Sequence, residues 1–281
     1  MSSIDSSLLD FSGFAAVTDF EKNDWKILFD KLEYKQQEFI RYENQIRSDL
    51  YKWPRDPLHT WSRLWEYPYV YYHIQQAQKQ RSDKKLHVLD FGSGVTFFPF
   101  AIAELGCHVN CADIDPICAI DIPKAVMTIH HAPGSVKASL IEAGKIPIDS
   151  ESQDIVYCIS VIEHIPDFES VVDEMARVLK HGGFLILTVD IDLRGDFELS
   201  VEQYERLLIK LEQHFTKGFP ERPVHPRNLL TTANSPYPMK NRSLLSSAKQ
   251  LIKNSLTGHL LNGDPRVGVL LGIYSAIYKK K

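Results

Sequence analysis

The sequence predicts an α/β fold: a doubly wound, mostly parallel sheet with helices on both faces, joined to a helical, aromatic-rich N-terminal cap. Three observations predict it. Short apolar runs alternate with helical patterns between Lys85 and Asp192, the signature of βα units that build a parallel sheet covered on both faces. The first run, Val88-Leu89-Asp90-Phe91, empties into Gly92-Ser93-Gly94, a turn whose glycines bring bare backbone up to a ligand at a strand's carboxyl end. Composition also shifts near residue 84, because all four tryptophans (Trp25, Trp53, Trp61 and Trp65) precede it. The expected division is therefore 1–84 for the cap and 85–281 for the sheet domain, with a substrate-side insertion around 193–262.

In chain order, Trp25, Leu28, Phe29, Leu32, Phe39, Ile46 and Leu50 form an intermittent helical stripe, expected to pack against the sheet domain. The aromatic run from Trp61 to Tyr69 is expected to roof the ligand site. His87 to Asp90 reads as the first strand. Pro99 to Leu105 follows as a helix, with its proline tolerated in the first turn. His108 to Ala112 is the second strand and ends in Asp113; Val136 to Ile141 is the third and Asp154 to Ser160 the fourth. Asp167 to Leu179 is a helix with Phe168, Val171, Val172, Met175, Val178 and Leu179 on one face, ended by Gly182-Gly183. Phe184 to Asp190 is the fifth strand. Ser200 to Phe215 is a helix in which Ser200 is the N-cap and Gln203 completes a capping box. Lys217 to Lys240 holds five prolines and reads as a long loop. Val267 to Tyr278 closes the chain as one long strand or a strand pair.

The chain has 281 residues and a net charge of −4, which gives no electrostatic footprint for a phosphate backbone and argues against nucleic acid as a partner. Lys279-Lys280-Lys281 is expected to be a solvated tail. The start, Met1-Ser2-Ser3-Ile4-Asp5, lacks the basic and apolar regions of a secretory signal. No segment approaches the ~18 apolar residues of a membrane span, so neither a membrane partner nor a site outside the cytoplasm is expected. Cys107, Cys111, Cys118 and Cys158 fall in or beside buried elements, without the ligand spacing of a zinc site, and no metal is expected.

A dinucleotide fingerprint would need its third glycine where this chain has Phe97, too bulky beside a pyrophosphate. The chemistry-bearing residues instead sit at successive strand ends. Asp113 lies 19 residues beyond Gly94, where a carboxylate can accept from both hydroxyls of a ribose. Asp115 competes with it but is better placed to cap the helix after Pro116. Glu142, followed by Ala143, can accept from an exocyclic amine. Ser160-Val161-Ile162-Glu163-His164 follows the fourth strand, and Asp190 and Asp192 end the fifth.

Together with the glycine turn, Glu142-Ala143-Gly144-Lys145-Ile146-Pro147, the Glu163-His164 pair and the stretch Glu174 to Gly183, these residues resemble the class I S-adenosylmethionine-dependent methyltransferases, in the branch with Glu-His after strand four. The resemblance covers roughly residues 85 to 192. It implies a Rossmann-like sheet, S-adenosyl-L-methionine as cofactor and S-adenosyl-L-homocysteine as product. The cofactor set expected within it is Asp90, Gly92, Ser93, Gly94, Asp113, Ile114, Glu142, Ala143, Ser160 and His164, to which Arg63 is added from outside the resemblance. Arg63 suits a carboxylate, with a surface ion pair to Glu66 as its alternative role. Thr96 in place of a third glycine, and Glu142 in place of aspartate, depart from the family pattern.

Methyl transfer asks chiefly for alignment, but a hydroxyl nucleophile gains from a base. The candidate bases are His164, Asp190 and Asp192, with His164 favoured for its near-neutral pKa. The expected activity is O-methylation of a small molecule, such as a sugar or polyhydroxylated natural-product intermediate. N- or C-methylation and a catalytically silent cofactor-binding partner protein are the alternatives. Phe97 and Glu163-His164 disfavour a nicotinamide-dependent dehydrogenase. The N-terminal helical region is the expected seat of any homodimer.

Overall fold

The computed structural model describes residues 9–81, 83–194, 199–239 and 270–281. Much of the insertion expected around 193–262, and the Val267 end of the closing strand, lie outside these residues. The described elements are β1 (Gly13–Phe14), α1 (Asn23–Arg41), α2 (Glu43–Ile46), α3 (Arg63–Gln80), β2 (His87–Phe91), α4 (Phe98–Ala103), β3 (His108–Asp113), α5 (Pro116–Thr128), β4 (Ser135–Leu140), β5 (Gln153–Ile159), α6 (Phe168–Val178), β6 (Leu179–Asp192), α7 (Val201–His214), β7 (Phe215–Lys217) and β8 (Leu271–Lys280).

These strands make one sheet in the order β1-β8-β6-β5-β2-β3-β4, with β7 also on β8. The run β4-β3-β2-β5-β6 is parallel throughout. The closing segment is a single long strand, β8, antiparallel to β6. A doubly wound Rossmann-like sheet is therefore present, ending in an antiparallel strand. The N-terminal region contributes more than a cap, since Gly13 and Phe14 pair with Ser275 and Tyr274 at the sheet edge.

Strand residues alternate between two cores because successive side chains point to opposite faces. Val88, Val109, Cys111, Ile155, Tyr157 and Ile186 join α1, α3, α4 and α5 in one core. Leu89, Val156, Cys158, Leu185 and Leu187 meet α6 and α7 in the other. The stripe on α1 packs inward as expected through Trp25, Leu28, Leu32 and Phe39. Leu50 does not belong to it, being beyond the helices and 71% exposed.

Two other expectations need correcting. Gly182-Gly183 does not end α6; the helix stops at Val178, where Leu179 turns to an extended conformation, and β6 starts at once. Gln153 pairs with Leu179 and Ile155 with Phe184, so the glycines lie in a bulge, with Gly182 at φ +72°. The terminal lysines are not a free tail either. Lys279 and Lys280 are strand residues, and Lys280 Nζ donates to the Leu179 carbonyl at 2.7 Å.

Candidate active site

The carboxyl ends of β2, β3, β5 and β6 open into a cavity of about 720 Å³, within the usual range for small-molecule sites. Its floor is the turn after β2. Gly92 has φ +71° and Gly94 φ +53°, backbone that favours glycine. The amides of Gly92 and Ser93 both donate to the Ala112 carbonyl, at 2.8 and 3.4 Å, tying the turn to β3. Gly94 N donates to Asp113 Oδ2 at 2.8 Å, and Asp115 N donates to Oδ1 at 2.9 Å. Asp113 thus braces both loops while lining the cavity. Asp115 accepts from Ile117 N at 2.9 Å, the helix cap expected of it. Thr96, at the third-glycine position, lines the cavity and accepts from Phe98 N at 3.3 Å, starting α4 in place of an open glycine loop.

Asp90 is buried at the cavity floor beside Tyr157. Burial pushes its carboxyl up to about 8, with the Tyr157 hydroxyl pulling the other way. Ser160 follows β5 with φ +45°, a strained backbone for a residue with a side chain. Its hydroxyl donates to Glu66 Oε1 at 2.6 Å and lies 3.4 Å from Asp190 Oδ1. Glu163 Oε1 accepts from Asp190 N at 3.1 Å, and burial raises the Glu163 carboxyl to about 7 despite the opposing charge of His164.

Of the residues expected from sequence, Arg63, Asp90, Gly92, Ser93, Gly94, Asp113, Ile114, Ser160, His164 and Asp190 all line this one cavity. His164 is exposed at its edge, whereas Asp190 is buried. Three others stand apart. Glu142 and Ala143 occupy an exposed turn in which Ala143 has φ +50°, and Ile141 is the residue of that segment that reaches the cavity. Asp192 is buried away from the cavity lining and accepts from Arg194 N at 2.8 Å. The Arg63–Glu66 ion pair exists but is not a surface pair, because Glu66 is fully buried. Burial works against the Arg63 charge, yet the Glu66 carboxylate outweighs it and holds the guanidinium above its ordinary value.

The N-terminal region supplies a wall that sequence reading located only in part. From the aromatic run, Trp61, Ser62, Arg63 and Tyr67 line the cavity. Trp65 and Tyr69 turn away into a buried stack with Trp25, at centroid distances of 4.9 and 5.4 Å. Lys52 and Trp53 were not singled out; they sit in an irregular segment with neither motif nor periodicity. Lys52 pairs with Asp115, and the Tyr51 hydroxyl donates to the Val95 carbonyl at 2.8 Å, drawing this segment onto the glycine turn. Tyr157 was also missed, since an aromatic in an apolar strand reads only as core. The described part of the proline-rich segment does not line the cavity; it backs the wall instead, with Ser235 Oγ donating to the Trp61 carbonyl at 2.9 Å.

Residues 89–187 match the family described as "Methyltransferase domain". The chain is similar to a sterol 4-C-methyltransferase of Caenorhabditis elegans, 26% identical over 50% of this chain and 41% of that protein. It is also similar to a ubiquinone biosynthesis O-methyltransferase of Xanthomonas campestris, 31% identical over 46% of this chain and 54% of that one. The chain thus spans about half the length of the curated relatives it matches. Among solved structures, a putative sarcosine dimethylglycine methyltransferase from Galdieria sulphuraria is similar at a TM-score of 0.47 and 17% identity, covering 74% of this chain and 84% of that one.

Proposed function

We infer, from the match of residues 89–187 to a methyltransferase domain and the Rossmann-like strand order, that the chain is a class I, S-adenosylmethionine-dependent methyltransferase that methylates a hydroxyl of a small molecule. The observation that carries the reading is the convergence of the Gly92-Ser93-Gly94 turn, Asp113 and Ser160 on one cavity with the acidic residue Asp190.

The residues present fit the cofactor. A β-carbon at Gly92 would lie 2.6 Å from the Val161 side chain, so glycine is what lets the turn pack under the loop after β5 while Gly92, Ser93 and Gly94 line the cavity. Asp113 lines the cavity at a strand end, where a carboxylate suits ribose hydroxyls. Arg63 offers a guanidinium for a carboxylate. When bound, the cofactor supplies the electrophilic methyl group. The chain's own work is to hold the acceptor in line and exclude water, with Trp53, Trp61 and Tyr67 forming the apolar wall. A hydroxyl held near Asp190 or His164 gives up its proton to the Asp190 carboxylate or the His164 imidazole.

The relatives methylate oxygen in one case and carbon in the other; what supports a hydroxyl here is the presence of Asp190 and His164 on the cavity, since a hydroxyl nucleophile gains from a base. Calorimetric titration with S-adenosylhomocysteine and with NADH tests the donor; binding of NADH alone overturns the reading. Production of S-adenosylhomocysteine across an acceptor panel of polyhydroxylated rings, phenols and amines tests the acceptor. Turnover with amines alone would replace the hydroxyl, and no turnover together with a stoichiometric co-purifying subunit would make the chain a silent partner.

A further inference from the structure

Glu66 belongs to α3, outside the matched methyltransferase domain, and it is wholly buried. A buried carboxylate costs several kcal/mol unless donors surround it, and packing alone is served as well by an apolar side chain. Three donors converge on this one. The Ser160 hydroxyl and the Thr188 hydroxyl donate to Oε1 at 2.6 and 2.5 Å, and Arg63 Nη1 donates to Oε2.

Both non-threonine donors line the cavity, and Glu66 fixes what each presents there. A hydroxyl has one hydrogen and two lone pairs. With its hydrogen committed to Glu66, Ser160 faces the cavity as an acceptor only, beside the Asp190 carboxylate. Arg63 gives Nη1 to Glu66 and to Ser62 Oγ, the latter at 3.2 Å, and among the described residues it makes no other hydrogen bond; the rest of its donor fork remains for a ligand. A cation and an acceptor-only corner, set by the same carboxylate, form a complementary pair for a zwitterion: a carboxylate toward Arg63 and an ammonium toward Ser160.

We propose that Glu66 is a positioning residue that orients Arg63 and Ser160 together to hold the zwitterionic amino-acid end of the methyl donor, making the N-terminal helix part of the cofactor site. This rests on the methyltransferase reading above. The test compares two probes by calorimetry, S-adenosylhomocysteine, which carries the amino-acid end, and 5′-deoxy-5′-methylthioadenosine, which keeps the nucleoside and lacks it. Glu66→Gln keeps the shape and removes the charge; Glu66→Asp keeps the charge, guarding against misfolding, and shortens the reach.

Loss of a charge-assisted contact corresponds to about tenfold or more in affinity. Both variants are therefore expected to weaken S-adenosylhomocysteine by that factor while binding methylthioadenosine within about twofold of the unsubstituted protein, with α3 intact by circular dichroism. Equal losses for both probes would make Glu66 merely structural and overturn the proposal, as would S-adenosylhomocysteine affinity unchanged in both variants. An unsubstituted protein that binds neither probe refutes the methyl-donor reading and this proposal with it, whereas unchanged variants on a binding background refute Glu66 alone.

Discussion

The indole of Trp53 lies against the backbone of Gly94, so close that a β-carbon at the glycine would stand 2.7 Å from Trp53 Nε1. A residue of the N-terminal segment therefore closes directly on the turn that carries the ligand-facing backbone. Gly94→Ala meets both this collision and a φ of +53°, and is expected to cost about 1–3 kcal/mol from backbone strain alone. Trp53→Ala in the same molecule removes the collision but not the strain. Urea denaturation should show the double variant recovering part of the loss, a non-additivity expected of residues in contact.

Asp190 and Asp192 stand two residues apart on β6 and differ in what they face. Asp190 lines the cavity and Asp192 does not. If Asp190 receives the acceptor's proton, Asp190→Asn lowers turnover by about 10²–10⁴-fold. Asp192→Ala should leave turnover near that of the unsubstituted protein and lower the thermal midpoint instead, because it removes the buried acceptor for Arg194 N. Steady-state rates with a responsive acceptor separate the two, and equal losses would refute the assignment.

Asp90 is buried, and its carboxyl is raised to about 8, above the ordinary value near 3.9 for an unfolded chain. A raised folded-state pKa means that its contribution to stability is fully present below about pH 4. That contribution is lost as the pH rises toward 8. Asp90→Asn is accordingly expected to melt at a higher temperature than the unsubstituted protein at pH 8, with the difference shrinking toward pH 4. Differential scanning fluorimetry across that range checks the sign, and a destabilised variant at pH 8 would contradict it.

Arg222 anchors the proline-rich segment to the N-terminal region. Its Nη1 and Nη2 donate to the two carboxylate oxygens of fully buried Asp19 at 2.6 and 2.8 Å, while Trp65 Nε1 donates to Oδ2 at 2.9 Å. Burial alone would raise the Asp19 carboxyl, but Arg222 outweighs it and the net shift is downward. Arg222→Ala leaves that carboxylate short of its main partner and is expected to cost about 3–5 kcal/mol. Arg222→Lys keeps a charge without the paired geometry and should recover only part of the loss.

Strand positions were the most legible feature. Alternation along Val88-Leu89 and Ile155-Val156 encodes which core each residue enters, because a strand's two-residue period holds whatever its neighbours are. Capping was legible for the same local reason: Ser200 and Gln203 form the box expected of them. The end of α6 was not, because a glycine pair reads as a helix stop, whereas pairing of Leu179 with Gln153 started the strand sooner. In the cavity, the strand-end residues Asp90, Asp113, Ser160 and Asp190 were readable, since parallel topology sends every strand's carboxyl end to one edge. Glu142 shows the limit of that reasoning: two residues past β4, it sits in an exposed turn whose next residue, Ala143, has φ +50°, and the turn decides where the side chain goes.

By itself, then, the sequence determined the sheet, its two cores and the turn at Gly92-Ser93-Gly94, because each follows from periodicity or from backbone freedom within a few residues. Only the tertiary structure decided that Trp53 closes on Gly94, that Glu66 is buried against Ser160 and Thr188, and that Gly13 extends the sheet beside Ser275. Those contacts join residues 41 to 262 positions apart in the chain, and no local pattern records them. They are fixed by which buried polar groups find partners once the two cores close.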